Sequence, residues 1–338
     1  MKQGKLRHEL LAEMLGRLPA RDPRVIVGPR VGEDAAAIDL GDRLLVAGMD
    51  PITFAADLIG WYAVQVNAND VAVMGAEPRW LLATLLLPPD FCESAVQVIF
   101  DQLSEAARRL SIALIGGHTE VTDSVTAPVI VGCMLGETTR DQLVTTSGAR
   151  PGDAIILCGP AAIEGTALLA RDAGEVLAAR GLGSEAILRA RDYLFDPGIS
   201  VVAAARAAAA AGGISSMHDP TEGGIATALL ELALASDIGL EVNADLIPVL
   251  PETREICRLL GLDALGLIAS GALLITARPD SAEGVRCALE ELKLTAVVIG
   301  HALPKESGLV MLVGGEPRPL PRFERDELAR FFEEQPGS

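Results

Sequence analysis

Residues Gly60 to Pro78, GWYAVQVNANDVAVMGAEP, have helical spacing and are apolar nearly all round, yet carry Asn67, Asn69 and Asp70 in the middle. A helix of this kind is enclosed by the rest of the fold, which leaves Asp70 little access to water. Asn67, Asp70 and Met74 share one face, at i, i+3 and i+7. A buried ionised carboxylate needs a partner, a metal or a large pKa shift. A metal or charged ligand at Asp70 accounts for the pattern; the alternative is a polar helix-packing network.

Around this segment the pattern is mixed α/β. Apolar runs or alternation predict strands at Leu44–Gly48, Trp80–Leu87, Ala113–Ile115 and Pro128–Leu135, and helical spacing predicts a helix over Ser94–Leu110. The string TTSGARPGD, from Thr145, has the Ser, Gly and Pro of a connector and runs straight into a new strand at Ala154–Cys158. It sets a domain boundary, with residues 1–148 before it and 149–338 after. Beyond it, helical patterns at Ile163–Asp172, Ile199–Ala211, Gly224–Ala235 and Ala282–Leu292 alternate with strands near Gly271–Ala277, Ala296–Gly300 and Leu309–Val313. The stretch Pro317–Ser338 reads as a short docked helix with a loose end.

The charge balance narrows the function. Against 46 Asp and Glu there are 28 Lys and Arg, a net −18, so attraction to nucleic acid or anionic lipid is disfavoured. An anionic ligand must be held by local devices such as a helix N-terminus, a few arginines or a divalent cation. None of the four lysines, Lys2, Lys5, Lys293 and Lys305, closes a Walker-type phosphate loop. The apolar runs Trp80–Leu87 and Ala203–Ala211 fall short of the roughly 20 residues a bilayer requires, so no membrane span is expected. The five cysteines form no C-x-x-C pair, and all but Cys92 sit in apolar periodic segments, as reduced core residues would. The opening MKQGKLRHELLAEMLGRL reads as an amphipathic helix and not a secretory signal, which makes the cytoplasm the expected compartment.

Four further stretches carry chemistry. VGEDAAAIDLGD, Val31 to Asp42, sets Glu33 and Asp34 beside small residues before a strand, and Asp50 closely follows the apolar strand LLVAGM; each is either a ligand or a turn residue. SIALIGGHTE is a strand running into Gly116 and Gly117, with His118, Thr119 and Glu120 expected to project at its C-terminal edge, where α/β proteins bind ligands. MHDPTEGGIATALLELA places Asp219 and Glu222 before a long helix that opens at Gly223-Gly224. Thr221 is its expected N-cap, and the free first-turn N–H groups suit a phosphate.

In this order, GEDAAAI, Asp50, NDVAVMGAEP, GGHTEV and DPTEGGIATALLE resemble a superfamily that includes aminoimidazole ribonucleotide synthase, selenophosphate synthetase, thiamine-monophosphate kinase and HypE-type hydrogenase maturation factors. NDVAVMGA and DPTEGG are most similar to the HypE branch and its AIR synthase-related relatives, and the resemblance runs from about Gly28 to Val313. It implies a PurM-like two-domain α/β (α+β) fold: an N-terminal domain whose four-stranded sheet joins that of a second subunit in a dimeric barrel, and a C-terminal α/β domain. It further implies ATP and Mg²⁺ in a cleft between the domains. On that resemblance Asp34, Asp50 and Asp70 are metal ligands or their close neighbours, Asn67, Asn69, Gly116, Gly117, Thr119, Asp219, Thr221, Gly223 and Gly224 contact the nucleotide, and Asp70, His118 and Glu120 serve catalysis. Where HypE proteins have a Pro-Arg-Ile/Val-Cys tail that carries the carbamoyl group, this chain reads Pro321-Arg322-Phe323-Glu324.

The leading expectation is therefore an ATP- and Mg²⁺-dependent enzyme that phosphorylates and activates a carbonyl, amide or thiocarboxamide oxygen. It would work as a homodimer on a small molecule or on a group borne by a carrier or maturation protein, with no nucleic-acid or membrane partner. A small-molecule kinase resembling thiamine-monophosphate kinase is one alternative, and a non-catalytic nucleotide-binding maturation scaffold is another.

Overall fold

The computed structural model describes residues 5–18, 22–53 and 57–334. Their contacts divide them into two compact units. One holds Asp22–Gly28 and Asp34–Leu143; the other holds Lys5–Leu18, Pro29–Glu33 and Val144–Glu334. The first described helix, α1 (His8–Gly16), thus belongs with the second half of the chain. Residues 1–4 of the expected N-terminal helix lie outside the described residues.

The first unit is a six-stranded sheet with helices on one face. Its strands are β1 (Val25–Val27), β2 (Ala36–Asp39), β3 (Leu44–Ile52), β4 (Glu77–Leu87), β5 (Ala113–Val121) and β6 (Val129–Thr138), in the order β1-β2-β3-β6-β4-β5. The sheet is thus wider than the four strands expected, because the short β1 and β2 extend it beyond β3. The apolar helix α2 (Ile59–Val73) packs on β3 and β6, and α3 (Glu93–Arg109) packs on α2. Buried Ile99, Leu103, Ala106 and Ala107 give α3 one apolar stripe, whereas every residue of α2 except Trp61 is buried. The helix ends sooner than its periodicity suggests, at Val73, and Glu77 already opens β4.

A buried helix this close to a sheet needs room on the strands. A Cβ at Gly132 of β6 would lie 2.5 Å from Asn67 Nδ2, and one at Gly48 of β3 would lie 3.1 Å from Asp70 Cβ. Burial alternates strictly along β6, and its glycines fall on the covered face. The other face stays partly open and apolar at Leu45, Ala47, Val131, Cys133 and Leu135, and Met49 is 60% exposed. Along β5 every residue is exposed.

The second unit is built on a seven-stranded sheet: β7 (Ala154–Cys158), β8 (Ile214–His218), β9 (Gly239–Asn243), β10 (Leu273–Ala277), β11 (Ala296–Leu303), β12 (Leu309–Val313) and β13 (Glu316–Pro319), in the order β13-β12-β9-β11-β7-β10-β8. Its helices are α4 (Ile163–Asp172), α5 (Gly174–Ala179), α6 (Ser184–Asp192), α7 (Val202–Ala211), α8 (Gly224–Ser236), α9 (Pro251–Leu260), α10 (Ala282–Glu291) and the docked C-terminal α11 (Glu327–Glu334). Ile225, Leu229 and Leu232 of α8 pack on Ile155, Leu157 and Leu274 in the core.

By length and composition Ser184–Ala211 could cross a membrane, with a mean hydropathy of 1.3. The chain instead breaks there at Asp196 (φ −141°, ψ 107°), and α7 starts only at Val202. All five cysteines are free thiols; Cys158 and Cys257 are buried, but Cys287, expected in the core, is exposed with Cys92. The apolar pattern of α10 places Val285 and Leu289 inward, which leaves Cys287 on the outer side.

Two glycine substitutions test this account. Gly132→Ala should destabilise the protein by about 1–3 kcal/mol, because Asn67 must shift in a packed layer. Gly284→Ala, within α10 and with open space at its Cβ position, should stabilise it by about 0.4–1 kcal/mol. Urea unfolding of both variants checks the opposite signs.

Candidate functional site

In the first unit Asp50 lies on β3 and Asp70 on α2, which packs against that strand. Side chains of β3 alternate, so Gly48 and Asp50 face α2 together. Asn67 grips the strand at Asp50. Its Oδ1 accepts from Asp50 N at 2.9 Å, and its Nδ2 donates to Asp50 O at 3.3 Å and to Ala63 O at 2.9 Å. One turn on, Asp70 is 6% exposed, and its Oδ2 lies 3.4 Å from where a Gly48 Cβ would be. Ala35 Cβ is 3.6 Å from the same point. Asn67 thus acts as a brace that holds Asp50 in place, and Asn69, fully buried, lies on a different side of α2.

The GGHTE segment is elsewhere. It does not follow β5 but lies inside it, and β5 is the sheet edge. The β4–β5 register slips between Leu81 and Leu82, so that Leu81 faces Leu114 and Leu82 faces Gly116. Gly117 (φ +151°) absorbs the slip: a Cβ there would sit 1.9 Å from Ala83 O. Gly117 pairs with Ala83, Ala83 with Gly132, and Gly132 with Asp50. Three strand spacings, about 14 Å, therefore separate Gly117 from Asp50. His118 and Glu120, 3.4 Å apart, are 66% and 55% exposed. Within one chain the sheet does not bring His118, Thr119 or Glu120 to the acidic corner, contrary to the expectation of a strand-end cluster.

In the second unit Asp219, 1% exposed, follows β8 and leads into α8. The N-cap of α8 is Gly223 (φ +81°), not Thr221, which contributes only its carbonyl, to Gly224 N at 3.0 Å. Several amides at this turn, expected to be free for phosphate, have protein partners. Gly223 N donates to Asp326 Oδ2 at 2.6 Å, Ala226 N to Leu265 O at 3.0 Å and Thr227 N to Gly223 O at 3.3 Å.

Sequence reasoning passed over several buried ionisable groups here. Glu231, inside α8, meets Lys5 Nζ at 3.1 Å, His8 Nε2 at 3.3 Å and His218 Nε2 at 3.1 Å. Burial alone would raise its carboxyl, but the Lys5 ammonium and the two imidazoles outweigh that and hold it well below the usual carboxylate range. Glu164, in the first turn of α4, accepts from Ser270 N at 3.2 Å, and burial pushes it up to about 7. Asp326 is likewise pushed up to about 7 by burial, against the hydrogen bonds from Gly223, Leu328 and Ile268. Glu33, half of the acidic pair, is an anchor: its carboxylate accepts from Thr146 N at 3.2 Å and Ser147 N at 3.3 Å. The lone-acid signal that marked Asp70 also marks Glu164 and Glu231, each set in an apolar helical pattern. Nothing comparable singles out Asp326 in its charged surroundings.

Residues 32–138 match the AIR synthase related protein N-terminal domain, and residues 150–312 match the C-terminal domain. The chain belongs to the AIR synthase related family. It is 30% identical over 317 residues to a putative hydrogenase expression/formation protein of Methanocaldococcus jannaschii, with 91% of each covered. It is 29% identical over 318 residues to the carbamoyl dehydratase HypE of Escherichia coli, covering 88% of this chain and 89% of that one. Among solved structures, a hydrogenase maturation protein HypE in complex with ATP matches with a TM-score of 0.73 at 26% identity, over 94% of this chain and 91% of that one. The PurM-like fold is thereby established for both units.

Glu164 carries a pH prediction. Its folded pKa lies above the ordinary 4.5, so the folded state holds the proton more tightly than the unfolded chain. Its favourable contribution is full below about pH 4.5 and is lost as pH rises through about 7. Glu164→Gln keeps an acceptor for Ser270 N without the charge. It should be more stable than the parent by about 1–3 kcal/mol at pH 8 and no more stable at pH 4.5, measured by urea unfolding at both pH values.

Proposed function

We propose that this family member is an ATP-dependent enzyme of the HypE type, which phosphorylates the oxygen of a carbonyl, amide or carbamoyl group and so makes it a leaving group. With a carbamoyl substrate, loss of the phosphorylated oxygen and of the N–H protons yields a nitrile, a net dehydration. The observation that carries the reading is the acidic corner on β3 and α2, in a chain that aligns over most of its length with proteins named carbamoyl dehydratase and with a HypE–ATP complex.

The donors at that corner suit a hard divalent cation: carboxylate oxygens of Asp50 and Asp70, beside a glycine whose missing side chain leaves space at Asp70 Oδ2. Mg²⁺ bound there would bridge phosphate oxygens and neutralise charge in a protein of net charge −18. Asn67, by clamping both backbone groups of Asp50, fixes the first carboxylate relative to the second. The substrate group is presented by a small molecule or by another protein, since Phe323-Glu324 stands where HypE tails have their cysteine.

The reading includes a homodimer. Among the described residues β5 is the unpaired edge of the sheet, beside a half-open apolar face, surfaces that a second copy would cover. Pairing there would also give His118 and Glu120 a role across the interface that they lack within one chain.

Calorimetry should give ATP binding in the micromolar range with Mg²⁺ and a large loss in EDTA; equal affinity in both would refute metal-assisted binding. Asp70→Asn should lower turnover by about tenfold or more while changing stability by less than about 1 kcal/mol, whereas a strongly destabilised variant that keeps full activity per folded molecule would mark Asp70 as a packing residue. Light scattering should return twice the 35.3 kDa chain mass, and a 35.3 kDa species at micromolar concentration would remove the dimer.

A further inference from the structure

A cavity of about 530 Å³ lies in the second unit, between α9, the turn that follows it and the chain that leaves β9. Part of its wall is apolar, from Ile247, Val249, Cys257, Leu262 and Leu265, of which Ile247 and Cys257 are buried. Charged side chains complete the lining: Arg254 and Arg258, one turn apart on α9, and Asp245 and Asp263 from the two flanking segments. Arg258 pairs with Glu255 at 2.6 Å, but among the described residues Arg254, Asp245 and Asp263 form no ion pair. Each is held by backbone instead. Arg254 Nε donates to Val249 O at 3.2 Å, Asp245 Oδ2 accepts from Gly314 N at 3.0 Å, and Asp263 Oδ1 accepts from Leu265 N at 2.9 Å.

Opposite charges that share a cavity without pairing depart from the habit of this chain. On its helices arginines pair with acids three residues away, as Arg258 does with Glu255, Arg108 with Glu105 and Arg286 with Glu283. Arg254 has Leu250, Pro251, Cys257 and Arg258 at the corresponding positions, so its own helix offers it no acid. We propose that the cavity binds a small zwitterion with an apolar body, the chemistry of an apolar amino acid or short apolar peptide. The ligand's carboxylate would take the Arg254 nitrogens left over from the Val249 contact, and its ammonium the Asp245 or Asp263 oxygen that no backbone amide uses. The apolar wall would receive its side chain. A ligand of one charge is repelled by one side of this lining, whereas a zwitterion is attracted by both. The volume lies within the roughly 300–1,000 Å³ of small-molecule sites, and charges already fixed by backbone bonds lower the ordering cost of binding.

The site is independent of the nucleotide reading, so binding is measured on the full chain without nucleotide. Calorimetry at neutral pH titrates L-leucine, L-phenylalanine and the dipeptide L-leucyl-L-leucine, with 4-methylpentanoate and isoamylamine as leucine analogues that each lack one charge. The expected result is one-site binding of at least one zwitterion with a Kd of about 1 mM or tighter, and binding about tenfold weaker or worse by both analogues. Tighter binding of the free amino acids assigns an amino-acid site, and tighter binding of the dipeptide assigns a peptide site. Arg254→Ala, at an exposed position of α9, should weaken binding by about tenfold or more. The double variant Asp245→Asn/Asp263→Asn keeps the acceptors for Gly314 N and Leu265 N and should weaken it similarly. The assignment is overturned if none of the three zwitterions binds at about 10 mM, if either analogue binds as tightly as the zwitterions, or if both variants bind like the parent.

Discussion

The first unit depends on burying a polar helix face against a sheet. Enclosing Asn67 and Asp70 between α2 and β3 is tolerable only because Asn67 spends its amide on the backbone of Asp50 and because β3 and β6 carry glycines where the helix comes closest. That contact fixes the height of α2 above the sheet, and α3 then packs on what remains of it. Of these glycines Gly132 clears the Asn67 amide, and Gly48 lies beside the Asp70 carboxylate.

The same problem, one acid in an apolar helix, is met in three ways along this chain. Asp70 is set against a glycine on a neighbouring strand. Glu231 is met by the Lys5 ammonium and by the imidazoles of His8 and His218, so its charge survives burial. Glu164 receives a backbone amide and, among the described residues, no cation, and its proton affinity rises instead. Local sequence is alike in all three; the difference lies in which groups the fold delivers to each carboxylate. Lys5 and His8 reach Glu231 from more than 220 residues away in sequence.

Strand β5 shows how an edge changes the meaning of a motif. GGHTE has the look of a strand-end loop because glycines commonly end strands, but here they let a strand slip its register and continue to Val121. Its polar residues are consequently displayed along an open edge and not gathered into the corner that Asp50 and Asp70 occupy. The amides of α8 carry a related lesson, since an N-terminus that is free by sequence can be satisfied by a distant residue, here Asp326.

Much of this was legible in the residues themselves. Periodicity located α2, α3, α8, α10 and most strands, and the polar interruption of an apolar helix marked Asp70 as exceptional, because burial and charge conflict whatever the tertiary context. The ordered motifs identified the family, which the matches across residues 32–138 and 150–312 bear out. Only the tertiary structure decided that Asn67 is a brace for Asp50, that Glu33 anchors the Thr146–Ser147 amides, that His118 and Glu120 face outward, and that Asp326 closes the α8 turn. Each of these depends on a partner chosen across a long stretch of chain or on the register of neighbouring strands. Side-chain periodicity reports which face of an element is buried, but it carries no information about what that face will meet.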